Sequence, residues 1–216
     1  MRECLKWDFW ERLAESWQSV LDSYIKYSPI GNSLNDLPYW HSERAATGFL
    51  AAAAWKIKGV IAIEEYYAER VYGDTKRRSI GHCDLWVRSK DFSFSAEVKQ
   101  LWPKNYKKKS IQKKIKDAEQ QLDSLADEDK RTSNNLFSVC FVSPRLDDKV
   151  KFSIFLNEIQ KDFTDNDIRI FYYDRSDLPD NIITWKNTNE KYPGVIMLIK
   201  EFNPKRSVIC QKKVLN

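Results

Sequence analysis

The clearest structural pattern in this chain lies between residues 81 and 100, in the segment GHCDLWVRSKDFSFSAEVKQ. It predicts two short strands joined by a tight polar turn at Ser89-Lys90-Asp91. The second strand alternates between two faces, one carrying Phe92, Phe94, Ala96 and Val98 and the other carrying Ser93, Ser95, Glu97 and Lys99. Pairing of the strands around that turn is expected to bring Asp84, on the first strand, within reach of Glu97.

Two carboxylates and one ammonium at one end of a hairpin suit metal-dependent hydrolysis. Hard divalent cations take oxygen ligands, and Mg²⁺ is often held by one or two carboxylates together with water and substrate phosphate. A lysine beside such an ion can position or activate a water molecule. The alternative is that Glu97 and Lys99 form an ordinary ion pair on a solvated strand face.

The pattern of Asp84, about a dozen further residues, and then Glu97-Val98-Lys99 resembles the PD-(D/E)XK nuclease superfamily. That family includes many restriction endonucleases and archaeal Holliday-junction resolvases. Cys83 stands where the motif has its proline, a departure that is common in the family. The resemblance implies that Asp84 and Glu97, with the Val98 carbonyl as a further ligand, bind Mg²⁺ or Mn²⁺. It also implies that Lys99 orients the attacking water.

Many nucleases of this superfamily also carry an acidic residue on the first core helix, and Ser42-Glu43-Arg44 is similar to the context found there. The resemblance therefore implies that Glu43 is a further catalytic residue. Two alternatives stay open. Glu43 offsets the dipole at a helix N-terminus, or Glu64 or Glu65, on opposite faces of the next strand, takes its place.

Apolar periodicity predicts the elements around the hairpin. Between residues 41 and 145 they are a helix from Ser42 to Lys58, a strand from Val60 to Val71, a charged turn over 74–79, the hairpin, a helix from Ser110 to Ala126 and a buried strand from Leu136 to Ser143. This order of helix, three strands, helix and strand is the core topology of the family that the motif resembles.

The rest of the chain predicts two extensions of that core. Residues 1–40 predict an N-terminal helical extension with a helix over 5–26 and a loop over 28–40. Residues 146–216 predict a C-terminal α/β extension with a helix over 149–163, strands over 168–173 and 193–202, and an edge strand at 208–210. The expected fold class is α/β, a restriction-endonuclease-like αβββαβ core with a mixed sheet flanked by helices, in one domain of 216 residues.

Seven lysines follow the hairpin between residues 104 and 116. Lysine side chains bind the phosphate backbone without reading base sequence, and the residues expected to do so are Lys104, Lys107, Lys108, Lys109 and Lys113. The alternative is a solvated helix start. Trp102 and Tyr106, near the lysines, either stack on bases or pack in the core. The net charge of +5 is compatible with a nucleic-acid partner.

Composition excludes several classes of protein. With 42% hydrophobic and 31% charged residues, the chain is expected to be a folded, soluble protein. No apolar run approaches the ~18 residues of a membrane span and no apolar signal region opens the sequence, so we expect a cytoplasmic location and no membrane partner. Motifs for nucleotide phosphates, dinucleotides and serine hydrolysis are absent from the sequence.

Three further groups of residues can be interpreted locally. The four cysteines lie far apart, and Cys83 and Cys140 are expected to be buried thiols. His41 and His82 either hydrogen-bond to neighbours or assist a metal ion or a water. The aromatic residues of the first helix either dock on the core or form a surface for a homodimer or a partner protein, and they are Trp7, Phe9, Trp10 and Trp17.

The sequence therefore predicts a Mg²⁺- or Mn²⁺-dependent nuclease that hydrolyses phosphodiester bonds, in DNA rather than RNA. The alternative is a non-catalytic nucleic-acid-binding or protein-binding accessory subunit, of a defence or mobile-element system, that retains the nuclease fold. The joint presence of Asp84, Glu97 and Lys99 favours the enzyme, because a binding module has no need of all three.

Overall fold

The computed structural model describes residues 2–27, 36–72, 77–147, 150–164, 167–184 and 188–204. The predicted edge strand at 208–210 lies outside these residues, as do residues 28–35 of the predicted loop and 74–76 of the predicted turn. Within the described ranges, no helix is long and apolar enough to cross a membrane.

Helices and strands follow each other along the chain much as the periodicity predicts. The helices are α1 (Arg2–Tyr27), α2 (Glu43–Lys56), α3 (Lys108–Asp123), the short α4 (Asp127–Lys130), α5 (Phe152–Asp162) and the short α6 (Asp180–Ile183). The strands are β1 (Ile61–Tyr72), β2 (Arg77–Arg88), β3 (Ser93–Leu101), β4 (Asn135–Val142), β5 (Ile168–Asp174) and β6 (Gly194–Phe202). A 3₁₀ helix, Pro38–Trp40, precedes α2.

The strands form one six-stranded sheet in the order β1-β2-β3-β4-β6-β5. β3 and β4 are parallel and are connected through α3, because parallel neighbours need a crossover. The other neighbouring pairs are antiparallel. The predicted α/β class, with a mixed sheet flanked by helices, is confirmed.

The sequence predicts a turn over 74–79, but residues 77–79 belong to β2. Their backbone continues the antiparallel ladder as far as the pair Tyr72 and Arg77. The charged side chains stay compatible with a strand because this end of the hairpin is exposed, where Arg78 pairs with Glu69 at 2.7 Å.

Helix α3 ends at Asp123, before the predicted end at Ala126. The residues after it turn back to pair with β1. The amide of Val71 donates to the Ser124 carbonyl at 2.7 Å, and the amide of Ala126 donates to the Glu69 carbonyl at 2.7 Å. The C-terminal end of α3 is thereby fastened to β1.

Helices α1 and α2 cover one face of the sheet. The ring of Trp10 lies 4.7 Å from that of Phe94 and 5.2 Å from that of Phe137, measured between centroids. Phe9, Trp10 and Trp17 are at most 2% exposed. Docking of these aromatic residues on the core is confirmed. These three rings are enclosed by the core, and Trp7 is partly buried against it.

Helices α3 and α5 cover the other face. Their predicted inward residues are buried: Ile111, Ile115, Ala118 and Leu122 of α3, Leu125 just after it, and Phe152, Phe155, Leu156 and Ile159 of α5. Cys83 and Cys140 are buried free thiols, as predicted. Burial raises the pKa of the Cys140 thiol to about 12 and that of Cys83 further still, so both stay protonated.

Candidate active site

The candidate site lies where β2 separates from β3. The two strands pair only between residues 85–88 and 93–96, so the edge of β3 that faces β2 has no strand partner after Ala96. The backbone groups on this open edge must find other partners. We call this place, with Asp84 on β2 and residues 97–100 on β3, the fork.

A bend in the β1–β2 hairpin shapes the fork. The ladder between the two strands omits one pair, Glu65 and Asp84. Glu65 has a φ of 49°, a left-handed conformation that costs roughly 1–2 kcal/mol for a residue with a Cβ. Asp84, which lies opposite the strained Glu65, is therefore not paired in the ladder between β1 and β2. The carboxylate of Asp84 is directed towards β3 instead.

Asp84 takes the place of a strand partner for β3. Its Oδ2 accepts a hydrogen bond from the amide of Val98 at 2.7 Å. The carboxylate therefore bridges the two strands of the fork and is fixed in direction. Oδ1, the second oxygen of this carboxylate, has no hydrogen bond to the described part of the chain.

The ammonium of Lys99 lies between two carboxylates at the fork. Its Nζ donates to the Val98 carbonyl at 2.7 Å and to Glu43 Oε1 at 3.1 Å. Asp84 Oδ2 is 3.8 Å from the same nitrogen. The side chain of Lys99 is only 12% exposed, so these contacts hold a partly desolvated charge in one position.

Glu43 is the acidic residue that contacts Lys99. Glu64 and Glu65 have other neighbours. Glu43 Oε2 accepts from the amide of Gln100 at 3.0 Å, the next open amide along the edge of β3. Its position at the first residue of α2 allows this reach. Glu65 instead lies 3.4 Å from the exposed Arg44. The carboxylate of Glu64 lies against Gly48.

Glu97 is turned towards a different partner. Although it shares a face of β3 with Lys99, its Oε1 accepts a hydrogen bond from Arg70 at 2.7 Å. The side chain is 1% exposed. The alternative of an ion pair between Glu97 and Lys99 on a solvated face is therefore wrong, because α3 covers this face.

The charge of Glu97 is disfavoured by its surroundings. Burial raises the pKa of its carboxyl from the ordinary value of 4.5 to about 8, the charge of Asp84 adds to the rise, and Arg70 opposes it. Because the charge of Asp84 raises the pKa of Glu97, the two carboxylates lie near each other. A bound cation beside them would favour the charged form of Glu97.

Arg70 is a site residue that the sequence did not indicate. It lies on β1, with the buried part of its side chain between β2 and the end of α3. Its contact with Glu97 joins residues 27 positions apart, and no short motif marks it. The available signal was an arginine that follows Tyr66 and Ala68 on one face of the strand.

The donor atoms at the fork suit a hard cation. Within the described residues, no three His, Cys, Asp or Glu side chains are grouped as ligands of one ion. The ligands that the sequence predicts are of another kind, because they comprise two carboxylates and one backbone carbonyl. Asp84 and Glu97 each have one oxygen engaged by the protein and one without a described hydrogen bond, while the Val98 carbonyl also accepts from Lys99. All are oxygen donors, which is what Mg²⁺ and Mn²⁺ require.

Neither histidine ring is placed among these donors. His41 pairs with Asp36 at 2.8 Å. The ring of His82 is exposed, and only its carbonyl enters the region, as an acceptor for Arg70. Trp102 donates to the Tyr39 carbonyl at 3.3 Å and Tyr106 to Asp162 at 2.5 Å, which favours packing over base stacking.

The predicted phosphate-binding lysines divide into two groups. Lys104 pairs with Glu190 at 2.5 Å, and Lys108 lies 3.4 Å from Asp162. Lys107, Lys109 and Lys113 are exposed and have no ion pair with a described residue. The second group is therefore the one available to an external anion.

Known proteins supply no relative by which to interpret this geometry. No protein-family model matches the chain. No curated protein and no solved structure matches it either.

Proposed function

We propose that this protein is a metal-dependent nuclease that hydrolyses phosphodiester bonds, with DNA as the expected substrate. The observation that supports it best is the position of Lys99, whose ammonium lies within 3.8 Å of both Glu43 and Asp84 on the open edge of β3. We further propose that residues 41–145, from α2 to β4, form a restriction-endonuclease-like core. The order of elements and the motif of Asp84, Glu97 and Lys99 support that proposal.

Each residue at the fork has a role that its contacts suggest. Asp84 and Glu97, with the Val98 carbonyl, would hold Mg²⁺ or Mn²⁺, which when bound polarises a phosphoryl oxygen and acidifies water. Lys99 orients the attacking water and stabilises negative charge on the phosphate. Glu43 holds Lys99 in place, since one carboxylate oxygen accepts from its ammonium and the other from the amide of Gln100.

The N-terminal end of α3 supports a nucleic-acid partner. Its first turn has no acidic residue, and lysines occupy it instead. Positive charges at the positive end of a helix dipole are unfavourable by about 0.3–1 kcal/mol each. The same arrangement becomes favourable when a phosphate binds there, so Lys107 and Lys109 suit an anionic ligand better than they suit the free helix.

The test is cleavage by the purified protein. Given Mg²⁺ or Mn²⁺, it is expected to nick or degrade DNA, or RNA if the substrate preference is otherwise, and EDTA is expected to stop the reaction. Lys99→Ala and Asp84→Asn are each expected to reduce the rate by at least about 100-fold, because each removes stabilisation of the transition state. The matched control is Lys90→Ala, in the exposed turn between β2 and β3.

The proposal fails if Lys99→Ala cleaves as fast as the parent protein. It also fails if the parent binds nucleic acid tightly and never cuts it, across metals and substrates. One observation favours that second candidate, a non-catalytic binding module: the guanidinium of Arg70 already engages one oxygen of Glu97. Under that alternative the protein binds neither Mg²⁺ nor Mn²⁺.

A further inference from the structure

A buried arginine stands behind the predicted metal-binding glutamate. Arg70 is 7% exposed. One terminal nitrogen of its guanidinium donates to Glu97 Oε1 at 2.7 Å and to the His82 carbonyl. The other donates to the Gln121 carbonyl at 2.7 Å and to Ser124 Oγ at 3.0 Å. The guanidinium therefore ties Glu97 to β2 and to the C-terminal end of α3.

The surrounding backbone is shaped to admit this side chain. A Cβ on Gly81 would lie 2.9 Å from Arg70 Nε and 3.0 Å from its Cδ, closer than such contacts normally come. The backbone of Arg70 is itself bridged to Leu125, in the segment that follows α3. Both ends of the residue are thus fixed, and the guanidinium has little freedom to turn away from Glu97.

Stability alone is a weak reason for such a pair. A buried ion pair is often no more stabilising than apolar residues of the same volume. What the guanidinium offers is direction, because its planar donors reach four separate acceptors at fixed angles, which the single ammonium of a lysine cannot reproduce. Four hydrogen bonds from Arg70 leave Glu97 with Oε1 engaged and with no described hydrogen bond to Oε2.

We propose that Arg70 is a positioning residue, which holds one oxygen of Glu97 so that the other is presented to the divalent cation of the proposed nuclease. This inference rests on the proposed function. Partners that orient a metal ligand from behind typically change metal affinity by about 10–100-fold when they are replaced. The positive charge of Arg70 acts in the opposite direction, because it repels a cation, so charge and orientation predict opposite effects of its removal.

Mn²⁺ binding separates those two effects. The full-length parent, Arg70→Lys and Gly81→Ala are titrated with Mn²⁺ and followed by calorimetry or electron paramagnetic resonance. Arg70→Lys keeps the charge and loses the planar contacts, so we expect Mn²⁺ affinity to fall about 10–100-fold. Gly81→Ala keeps Arg70 and displaces it, and we expect a smaller loss in the same direction. Cleavage by both variants is expected to need more Mn²⁺ and to recover at saturation.

The control is Arg78→Lys, on the same hairpin, whose partner Glu69 has a side chain that is 35% exposed, against 1% for Glu97. It is expected to bind Mn²⁺ as the parent does. Circular dichroism and thermal unfolding establish which variants are folded at the assay temperature. If Arg70→Lys does not fold, Gly81→Ala decides the question.

If a folded Arg70→Lys variant binds Mn²⁺ as tightly as the parent, Arg70 only supports the fold and the inference is overturned. Where Arg70→Lys does not fold, the same result for Gly81→Ala has the same meaning. Tighter Mn²⁺ binding overturns it as well, because both variants keep the positive charge, and the contacts of Arg70 would then hinder Glu97 as a ligand rather than orient it. If the parent itself binds no Mn²⁺ and cuts nothing, the proposed nuclease function fails and this inference with it. If the parent binds Mn²⁺ and cleaves nucleic acid, the results for the variants test only the role of Arg70.

Discussion

At the scale of single residues, the fork is a set of side chains that replace a missing strand. The Val98 amide donates to Asp84, and the Val98 carbonyl accepts from Lys99. The Gln100 amide donates to Glu43. Each charged group is thereby fixed by a backbone contact rather than by another flexible side chain. Such preorganisation is what a catalytic site needs, because groups already in place require no rearrangement during the reaction.

The raised pKa of Glu97 has a consequence for stability. Its carboxyl has a pKa of about 8 in the folded protein and near the ordinary 4.5 when unfolded, so between these values the folded state binds more protons. The free energy of unfolding therefore falls as pH rises from 5 to 8, by up to about 1.4 kcal/mol per pH unit from this group. Urea unfolding at several pH values is expected to show a shallower decline for Glu97→Gln than for the parent protein. Parallel declines would contradict this assignment.

The proximity of Asp84 and Lys99, whose Nζ lies 3.8 Å from Asp84 Oδ2, could be predicted because it depends on local geometry, a period of two and a tight turn. The position of Arg70 could not. Alternation along β1 places Ala62 and Arg70 on the same face, but the bend at Glu65 separates them. Ala62 packs in the cluster under α2, while Arg70 reaches the end of α3. The left-handed conformation of Glu65 thus places the residues after it on the face opposite to the one that a period of two predicts.

At the scale of elements, helix α1 is the largest addition to the sheet that the motif predicts. Its apolar stripe is a local pattern, so the helix and its inward face could be predicted. The ends of α3 and β2 could not, because they depend on pairing with β1 across the fold. Interactions between distant segments decide where an element ends, and periodicity contains no information about them.

Trp10 tests how much α1 contributes to the stability of the fold. It is fully buried against Phe94 and Phe137, and Trp10→Ala leaves a cavity at the centre of the layer. We expect the free energy of unfolding to fall by about 3–5 kcal/mol, measured by chemical denaturation. The matched control is Trp55→Ala, because Trp55 is 58% exposed; a change within about 0.5 kcal/mol is expected there. Similar losses in both variants would mean that α1 does not form this core.

At the scale of the whole molecule, the position of charge matters more than the net charge of +5. The lysines at the start of α3 follow directly after β3, the strand that carries Lys99. Two of the five predicted lysines are partly neutralised, Lys104 by Glu190 and Lys108 by Asp162. The sequence could predict a basic segment but not which of its charges are paired, because the acidic partners come from the distant C-terminal part of the chain.

We therefore expect Lys107, Lys109 and Lys113 to account for most of the phosphate binding. Replacing all three with Gln is expected to weaken binding to all DNA sequences alike. It is also expected to reduce the slope of log K against log salt by roughly 2–3, since each lost phosphate contact on a duplex removes about 0.9. Fluorescence anisotropy between roughly 50 and 200 mM salt, in EDTA to prevent cleavage, measures both quantities.

The matched control removes the same charge elsewhere, by replacing Lys58, Lys90 and Lys130 with Gln. An equal loss of affinity in the control would mean that DNA responds to overall charge, and the start of α3 would not be the binding surface. No loss in either variant would leave the α3 lysines as a solvated helix start. Loss confined to the α3 variant, with the cleavage rate at saturating DNA preserved, would place DNA across α3 while leaving the chemistry to the fork.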